Sequence, residues 1–395
     1  MSVTTTAPAS TVHAGFTAPY PLVRSALDAL GAVAPSRPPV PILSHARITR
    51  DGADAVLTAT DYNMFLSLRL PGAAAGGSRA TIVPIAALGA YLRAATKGDR
   101  KTQTDQYVVE FDGDQHTVTA AGCTVPTDPY PGSTPDEFPD MPPIGEPAAV
   151  LSGEEFVTAL GRVASSADRG DSVPVLRSVH LSVGKREITV TATDRYRLAV
   201  ATVGANTCAT VDAVLPVEFV DLLMRHLGDE ERVTIHSSST HVTVTTPHRT
   251  FTTRVVEGEY PRVSRIVSER GDTSATMALD AFKRAVVKAH AVSLTSGRNQ
   301  PVDVIPDGET VVVTPMTDDQ SRTRGIAVPA TGDGMVPVRV SGKYLTDALA
   351  VFSGASTVRV DTTATDGLDY AHKPILLTSD DVPGVRVVVQ PVRAH

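Results

Sequence analysis

Six stretches of the chain have the apolar spacing of short amphipathic helices, with hydrophobic residues three or four positions apart. They form two series that alternate along the chain. The upstream series occupies residues 20–30, 152–164 and 280–290, and the downstream series occupies residues 84–97, 216–227 and 341–352. Successive starts lie 132 and 128 residues apart in the upstream series, and 132 and 125 apart in the downstream series. Two independent helix series therefore share one period.

Extended blocks with alternating polar and apolar residues follow the helices with the same period. The blocks after the first two upstream helices share the string TATD, which ends at Asp61 and at Asp194. The pattern predicts an α+β protein made of three repeated domains, at 19–146, 147–272 and 273–395, each of a common domain size. Residues 1–18, rich in Thr, Ala and Ser, are predicted to be a disordered tail, and the Pro-rich residues 128–147 a linker.

One predicted hairpin has an unusual bend, because an aromatic residue stands there between two arginines. In VTATDRYRLAV (190–200) a strand-like run meets Asp194, Arg195, Tyr196 and Arg197 and then becomes apolar again. Catalysis, nucleic-acid contact and a docking pocket could each use these side chains. Ordinary turn chemistry with solvated charges is the remaining explanation.

The charge of the chain is uneven. The net charge of −7 argues against a protein that coats nucleic acid by non-specific attraction. The six predicted helices, however, carry nine Lys or Arg and seven Asp or Glu, so they sum to +2 and the rest of the chain to −9. One explanation is that acidic first turns and basic later turns complement the helix dipoles and face solvent. The other is that the helices gather around a polyanion.

Several classes of protein find no support in the sequence. Cys123 and Cys208 lie 85 residues apart without a Cys/His metal spacing, so neither zinc nor a disulfide framework is indicated. No apolar run approaches the roughly 20 residues of a membrane span, and the N-terminal residues lack an apolar signal segment. We therefore expect a cytoplasmic protein without a metal, a cofactor or a membrane partner.

The sequence also gives no sign of an active site. It contains no G-x-S-x-G, P-loop or H-E-x-x-H motif. The 11 histidines are scattered. The neighbouring carboxylates of Asp318–Asp319 and of Asp380–Asp381 would point to opposite faces of a strand, so neither pair forms an acid/base dyad. A non-catalytic protein is expected.

Motifs in all three repeats resemble one family. TATDRYRLAV (191–200) resembles the Thr-Asp-x-x-Arg-Leu-Ala signature of the bacterial DNA polymerase III β subunit, the DNA sliding clamp. EGEYPRVSRIV (257–267) resembles its Gly-x-Phe/Tyr-Pro-x-x-x-Arg-Val/Ile segment, and RPPVPIL (37–43) its first-domain loop. KPILLTSDD (373–381) and VVVQPVRAH (387–395) resemble its last strands. The matches are collinear along the chain.

The resemblance implies a fold and a function. Each domain would have two helices inside and antiparallel sheets outside, and two chains would join head to tail into a six-domain ring around duplex DNA. Such a ring gives processivity to the replicative polymerase. Because a ring holds DNA by topology, weak and sequence-independent attraction is enough. The implied partners are a second copy of the chain, duplex DNA, and the short linear motifs of polymerase subunits, the clamp loader and repair proteins, as well as cyclic peptide antibiotics.

In this family a pocket between the second and third domains binds those linear motifs. Apolar anchors would enter it, while arginine and backbone groups fix the register. The positions of this chain that match the pocket are Leu176, Thr193, Asp194, Arg195, Tyr196, Arg197, Leu198, Pro261, Arg265, Ile266, Ser341, Tyr344, Pro374, Val388, Val389, Gln390, Pro391, Val392 and Arg393.

The chain departs from the family pattern at the pocket. Gln390 stands where the family usually has Met or Leu, so this subsite is either wetter or shaped for another ligand, since burying an unpartnered amide costs about 1–3 kcal/mol. The ending Ala394–His395 and the AAAGGS loop (73–78) are also unusual. These features raise two alternatives to a housekeeping clamp. One is a specialised or antibiotic-resistant paralogue, and the other is a peptide-binding scaffold that never loads on DNA.

The predicted DNA-facing and dimer-forming residues lie outside the pocket. The segment VSLTSGRNQ (292–300) matches the head-to-tail interface of the family, Leu294 included, with the second helix and outer strands of the first repeat as its partner. Arg37 is a DNA contact by similarity. With the basic residues of the predicted helices, the DNA-binding set is Arg24, Arg37, Arg93, Lys97, Arg225, Lys283, Arg284, Lys288 and Lys343.

Overall fold

The structure, a computed structural model, describes residues 12–170, 173–227, 232–268, 270–297, 301–364 and 369–392. The α-helices in these ranges are Tyr20–Val33 (α1), Ile85–Ala95 (α2), Lys101–Thr104 (α3), Gly153–Ala164 (α4), Val217–His226 (α5), Ser264–Ser268 (α6), Leu279–Ser293 (α7) and Gly342–Ala350 (α8). Short 3-10 helices cover Pro41–Ser44, Pro135–Glu137 and Pro174–Arg177. All six helices predicted from the apolar spacing are confirmed, and α3 and α6 are additional.

The strands follow the predicted blocks. They are Ala14–Pro19 (β1), His45–Asp51 (β2), Asp54–Thr60 (β3), Met64–Leu70 (β4), Ala74–Gly76 (β5), Thr81–Pro84 (β6), Val108–Asp112 (β7), Thr117–Ala120 (β8), Cys123–Pro126 (β9), Glu146–Leu151 (β10), Ser178–Val183 (β11), Glu187–Thr193 (β12), Arg197–Gly204 (β13), Asn206–Thr207 (β14), Val211–Pro216 (β15), Val233–Ser237 (β16), His241–Thr245 (β17), Arg249–Arg254 (β18), Thr273–Ala278 (β19), Pro301–Asp307 (β20), Thr310–Pro315 (β21), Ile326–Gly334 (β22), Val338–Ser341 (β23), Thr357–Thr362 (β24), Ile375–Thr378 (β25) and Val385–Val389 (β26). The α+β class is confirmed.

The described residues form two compact units. The first takes in the residues up to Val150 together with Arg225–Arg254, and the second takes in Leu151–Met224 together with the residues from Val255 onward. In the first unit, one sheet has the strand order β5-β1-β7-β8-β9, and in another the strands β10, β16, β17, β18, β4, β3, β2 and β6 are neighbours in that order. Helices α1 and α2 pack together, and α1 also packs on β3 and β4.

The second unit is built on one large sheet of twelve strands, in the order β15-β11-β12-β13-β26-β25-β24-β19-β22-β21-β20-β23. Helix α4 packs on β12 and β13, while α7 and α8 pack on each other and on strands of the third repeat. Along β12, Ile188, Val190 and Ala192 are at most 1% exposed, whereas Thr189 between them is half-buried. This alternation separates an apolar face of the sheet from a more polar one.

The helix starts show why the chain folds locally as predicted. The side chain of Ser152 accepts a hydrogen bond from the N–H of Glu155 at 3.4 Å, and Ser341 does the same for Tyr344 at 3.4 Å. Each serine thereby satisfies a backbone donor that the first helical turn leaves without a partner. The remaining long helices begin directly after a strand residue, with α1 and α2 following Pro19 and Pro84.

The predicted disordered tail is wrong from Val12 onward, because Val12 and His13 accept backbone hydrogen bonds from Arg79 at 3.2 Å and Gly77 at 2.9 Å. Residues Ala14–Pro19 form β1, which pairs with β5 on one side and β7 on the other. Phe16 is fully buried and stacks on Phe111 with ring centroids 5.7 Å apart, and its burial stabilises the strand. Gly15 permits the close approach, because a Cβ there would lie 2.3 Å from the carbonyl oxygen of Phe111. The rest of the predicted tail, residues 1–11, lies outside the described residues.

The AAAGGS segment and the proline-rich linker are also ordered parts of the first unit. Residues Ala74–Gly76 form β5, the partner of β1, rather than an extra loop. Phe138 of the linker is 4% exposed and packs with Ile42, Leu43 and Ile82. The linker therefore contributes to the core of the first repeat. None of the described helices is both long and apolar enough to cross a membrane.

Candidate functional site

The bend of the hairpin β12–β13 is fixed by one carboxylate. Asp194 accepts hydrogen bonds from the backbone N–H groups of Tyr196 at 3.0 Å and Arg197 at 2.9 Å, and Arg195 has a φ of 76°. This carboxylate-capped turn holds Tyr196 outward, with 57% of its surface exposed.

The same turn recurs in the first repeat. Asp61 accepts hydrogen bonds from the N–H groups of Asn63 at 2.9 Å and Met64 at 2.6 Å, and Tyr62 has a φ of 76°. The turn geometry is therefore common to the first two repeats. The feature that differs is the arginine of the second repeat, because Met64 occupies the place of Arg197.

Arg197 sits at the centre of a buried ion cluster. Its Nε donates to Asp194 at 2.9 Å and its Nη1 donates to Asp347 of α8. The side chain of Arg197 is 8% exposed and that of Asp194 is 10% exposed. Lys343 reaches the same Asp347 carboxylate at 3.1 Å from the solvent side. Two carboxylates and two cations thus join the second repeat to the third.

Two tyrosines extend this cluster to the surface. The rings of Tyr196 and Tyr344 stack at a centroid distance of 5.8 Å, and the guanidinium of Arg197 lies 4.9 Å from the centroid of the Tyr344 ring. Burial and the nearby carboxylate of Asp194 raise the pKa of Tyr344, so its hydroxyl stays protonated at neutral pH. The pair presents a flat aromatic surface beside the turn.

An apolar cluster lies on the other face of the same strands. Strand β13 pairs with β26 so that Leu198 is opposite Val388 and Arg197 is opposite Val389. Leu198 and Val388 therefore share one face, where they pack with Leu376 and Val267. Val389, by contrast, shares the Arg197 face, so it does not join this cluster.

Gln390 is exposed and partnered. Its N–H donates to the carbonyl oxygen of Tyr196 at 2.7 Å, and its side-chain Nε2 donates to the carbonyl oxygen of His372 at 3.4 Å. The side-chain amide of Gln390 is therefore solvated and hydrogen-bonded, and it carries no burial penalty. This exposure favours a wetter subsite over one that is reshaped for another ligand. The neighbouring Pro391 is buried and Val392 is 40% exposed.

The remaining predicted pocket residues are spread around these groups. Leu176 and Thr193 are buried, Pro374 is exposed, and Ser341 caps α8. Pro261, Arg265 and Ile266 lie in the segment that ends in α6. Arg393 lies outside the described residues.

Sequence reasoning missed part of the site. Ile266 is 46% exposed, whereas its neighbour Val267 is 7% exposed and packs on Leu198, so Val267 supplies the apolar contact. Asp347 was not predicted either. Its spacing of four residues from Lys343 on α8 was the available signal, because such pairs share a helix face.

Comparisons with known proteins show what the whole chain is similar to. The family model described as DNA polymerase III beta subunit, central domain, matches residues 150–262. A beta sliding clamp of Streptomyces coelicolor is 23% identical over 368 residues, which cover 91% of this chain and 94% of that protein. Residues 150–262 thus match the central domain of the bacterial β sliding clamp, and the chain is similar to such clamps over nearly its whole length.

Two further proteins are similar to the chain over the same length. The beta sliding clamp homolog GriR of Streptomyces muensis is 24% identical over 371 residues, covering 91% of this chain and 94% of that protein. A Pseudomonas aeruginosa sliding clamp solved with bound griselimycin superposes with a TM-score of 0.81 at 21% identity, covering 96% of this chain and all of that one. The likeness to the solved structure confirms the clamp fold.

The predicted DNA-binding residues lie on the helices and one loop. In the first unit Arg93, Lys97, Arg37 and Arg225 are exposed, while Arg24 is paired with Asp28 at 3.4 Å. In the second unit Arg284 and Lys288 are exposed on α7, Lys283 is half-buried, and Lys343 is held by Asp347. The bases without a described carboxylate partner are most concentrated on α7, which carries three of them, while Arg93 lies on α2 and Lys97 just after it.

The predicted dimer residue is accessible in this clamp-fold chain. Leu294 directly follows α7 and is 49% exposed. Val287, seven residues earlier on the same helix face, is 44% exposed, and Val292 is 46% exposed. An exposed apolar group at one helix end is typical of an interaction surface. In the described residues no group of three or more His, Cys, Asp or Glu could hold a metal ion.

Proposed function

We propose that the chain is a DNA sliding clamp of three domains, a non-catalytic ring of two copies that encircles duplex DNA in the cytoplasm. The ring gives processivity to a polymerase and docks partner peptides beside Tyr196 and Arg197. The observation that carries the proposal is a rule of strand pairing between successive repeats. That rule leaves one pair of strands for a second copy of the chain.

The rule appears twice. In each repeat, the first three strands after the upstream helix form an antiparallel block, and so do the first three strands after the downstream helix. The third strand of the upstream block in repeat one, β4, pairs with the third strand of the downstream block in repeat two, β18. The third strand of the upstream block in repeat two, β13, pairs in the same antiparallel way with its counterpart in repeat three, β26.

Applied once more, the rule pairs β22 of repeat three with β9 of repeat one. In the described residues β9 is an edge strand that pairs only with β8, and residues 326–329 of β22 pair only with β21. Unpaired edges of this kind are templates for another chain. Since each copy offers one β22 edge and one β9 edge, two copies can close the ring head to tail.

The mass in solution tests ring closure. Light scattering at several protein concentrations is expected to give a species of twice 41.4 kDa. Retention on a nicked DNA circle, followed by linearisation of the circle, then tests encirclement, because a topologically held ring leaves a linear end. A persistent monomer would overturn the ring and favour a peptide-binding scaffold that does not load on DNA.

Replacing the bases of α7 is expected to weaken the attraction to DNA without opening the ring. The triple variant Lys283→Glu, Arg284→Glu, Lys288→Glu removes three cations from one helix. The slope of log affinity against log salt for short duplex DNA should fall by about 2 to 3, because each lost phosphate contact reduces counterion release by ~0.9. Fluorescence anisotropy across a salt series measures the slope.

A matched control separates position from net charge. The variant Lys185→Glu, Arg322→Glu, Arg324→Glu changes the charge by the same amount at exposed sites outside the helices. It should leave the salt slope close to that of the parent protein. Equal slopes for the two triple variants would contradict a DNA-facing α7.

A specialised clamp with altered response to griselimycin is the second candidate. It is favoured by the exposed polar Gln390, and GriR is among the similar proteins. Gln390→Met is expected to tighten griselimycin binding about tenfold, because an apolar side chain would cover ligand surface that the amide leaves wet. Isothermal titration measures the affinity.

The griselimycin titration has two controls, a second variant of this chain and a clamp from another organism. Gln115→Met, at an exposed turn of the first unit, should leave griselimycin affinity unchanged. Griselimycin binding by the parent protein as tight as that of the Pseudomonas aeruginosa clamp in the same titration would count against this second candidate.

A further inference from the structure

A groove of about 540 Å³ opens beside the apolar cluster, on the face of the twelve-stranded sheet that carries Thr189 and Thr191. None of the predicted pocket residues except Pro261 lines it. Its floor is made by strands β11, β12, β13 and β26, and one wall is the segment from Gly258 to Val267.

The floor runs across the strands. Pairing places His180 beside Thr191, Thr191 beside Val200, and Val200 beside Arg386, so these four side chains form one row. Neighbouring strands lie about 4.8 Å apart, which makes the row roughly 14 Å long. An extended peptide of about four residues has this length.

The wall is preformed. The Tyr260 ring stacks on the ring of His180 at 4.9 Å, and its hydroxyl donates to the carbonyl oxygen of Thr191 at 3.3 Å. Gly258 turns the chain with a φ of 134°, and a Cβ there would lie 2.8 Å from Val175. A groove held by these contacts binds without first having to form, which favours affinity.

The two ends of the groove differ in charge. Arg386 is exposed, and its one described hydrogen bond runs from Nη1 to the carbonyl oxygen of Val267 at 3.2 Å. Among the described residues no carboxylate lies within ion-pair distance of it. At the other end Asp212 already bonds His180 at 3.0 Å. The free charge in the row is thus the guanidinium of Arg386, which suits a carboxylate ligand.

The groove is continuous with the peptide site. Val200 and Val263 line the groove and also pack on the Leu198–Val388 cluster. Arg386 lies two residues before Val388 on β26, so the two side chains are roughly 7 Å apart on the same face of the strand. A peptide anchored at the cluster passes Arg386 as it enters the groove.

We propose that this groove binds the residues that flank the anchor of a partner peptide, and that it selects an acidic side chain at Arg386. The proposal rests on the proposed function, because it needs a peptide anchored beside the cluster. It adds a partner chemistry: an extended segment with an aspartate or glutamate next to its apolar anchor.

The test compares synthetic fluorescein-labelled peptides by anisotropy. A short probe carries two leucines alone, and longer probes add an alanine-aspartate extension at either end or the same extension with lysine. At least one aspartate-extended probe is expected to bind about tenfold more tightly than the short one. Arg386→Glu should remove that gain and transfer it to the lysine-extended probe, while Arg386→Lys should keep it for aspartate.

Controls make each result decisive. Arg322→Glu, an exposed charge reversal off the groove, should bind every probe as the parent does. If the short probe binds but no extension adds affinity, or if Arg386→Glu binds all probes like the parent, the groove proposal is overturned and the peptide site stands. If no probe binds, the peptide site fails and the groove proposal falls with it.

Discussion

Replacing Arg197 by methionine is expected to lower the free energy of unfolding by about 3–5 kcal/mol. The substitution keeps most of the side-chain volume but removes the only cation that lies between Asp194 and Asp347 in the described residues. Asp194, at 10% exposure, would then be a buried carboxylate without its charge partner. Urea unfolding followed by circular dichroism measures the loss.

Lys343→Met is the matched control. It removes a cation that contacts the same Asp347 carboxylate, but Lys343 is 64% exposed. Because solvent screens such a pair, its loss should change the free energy of unfolding by less than about 1 kcal/mol. Equal effects of the two substitutions would show that the burial of Arg197 does not determine its contribution.

The second large effect is expected at the proposed ring junction. The double variant Ile326→Asp, Leu294→Asp places two charges on exposed apolar residues of the third repeat, which are 37% and 49% exposed in the single chain. If both side chains are covered in the dimer, the substitution should weaken it by at least ~100-fold, from about 1.5–3 kcal/mol for each buried side chain and the added cost of burying charge.

Light scattering should then show 41.4 kDa in place of twice that mass. Retention on nicked circular DNA should disappear with the dimer. Ile144→Asp is the control, because Ile144 is 52% exposed in the first repeat and belongs to neither junction strand. A double variant that stays dimeric would contradict the pairing of β22 with β9, whatever the behaviour of the peptide site.

The peptide site and the junction can be separated experimentally. Tyr196 and Arg197 lie within the second unit, and they share no element with β9 or with residues 326–329. The double junction variant should therefore bind a leucine-containing peptide as the parent protein does. This independence distinguishes the loss of the ring from general unfolding.

The sequence by itself determined the local elements and their repetition. Helices such as α4 follow from apolar residues spaced for one face and a serine cap, both of which are set within a few neighbours. The Asp194 turn follows from a carboxylate that reaches the next backbone N–H groups. The shared TATD string forms the equivalent turn at Asp61, because the same local chemistry gives the same local geometry.

Only the tertiary structure decided what depends on partners far along the chain. Strand β1 looked like a tail because its short apolar pattern is satisfied by β5 and β7, which are more than fifty and more than eighty residues away. Arg197 of β13 meets Asp347, 150 residues later, in a structure where β13 also pairs with β26 of the third repeat. The same pairing covers Leu198 with Val267 rather than Ile266. Such contacts arise from register and packing, which no local pattern encodes.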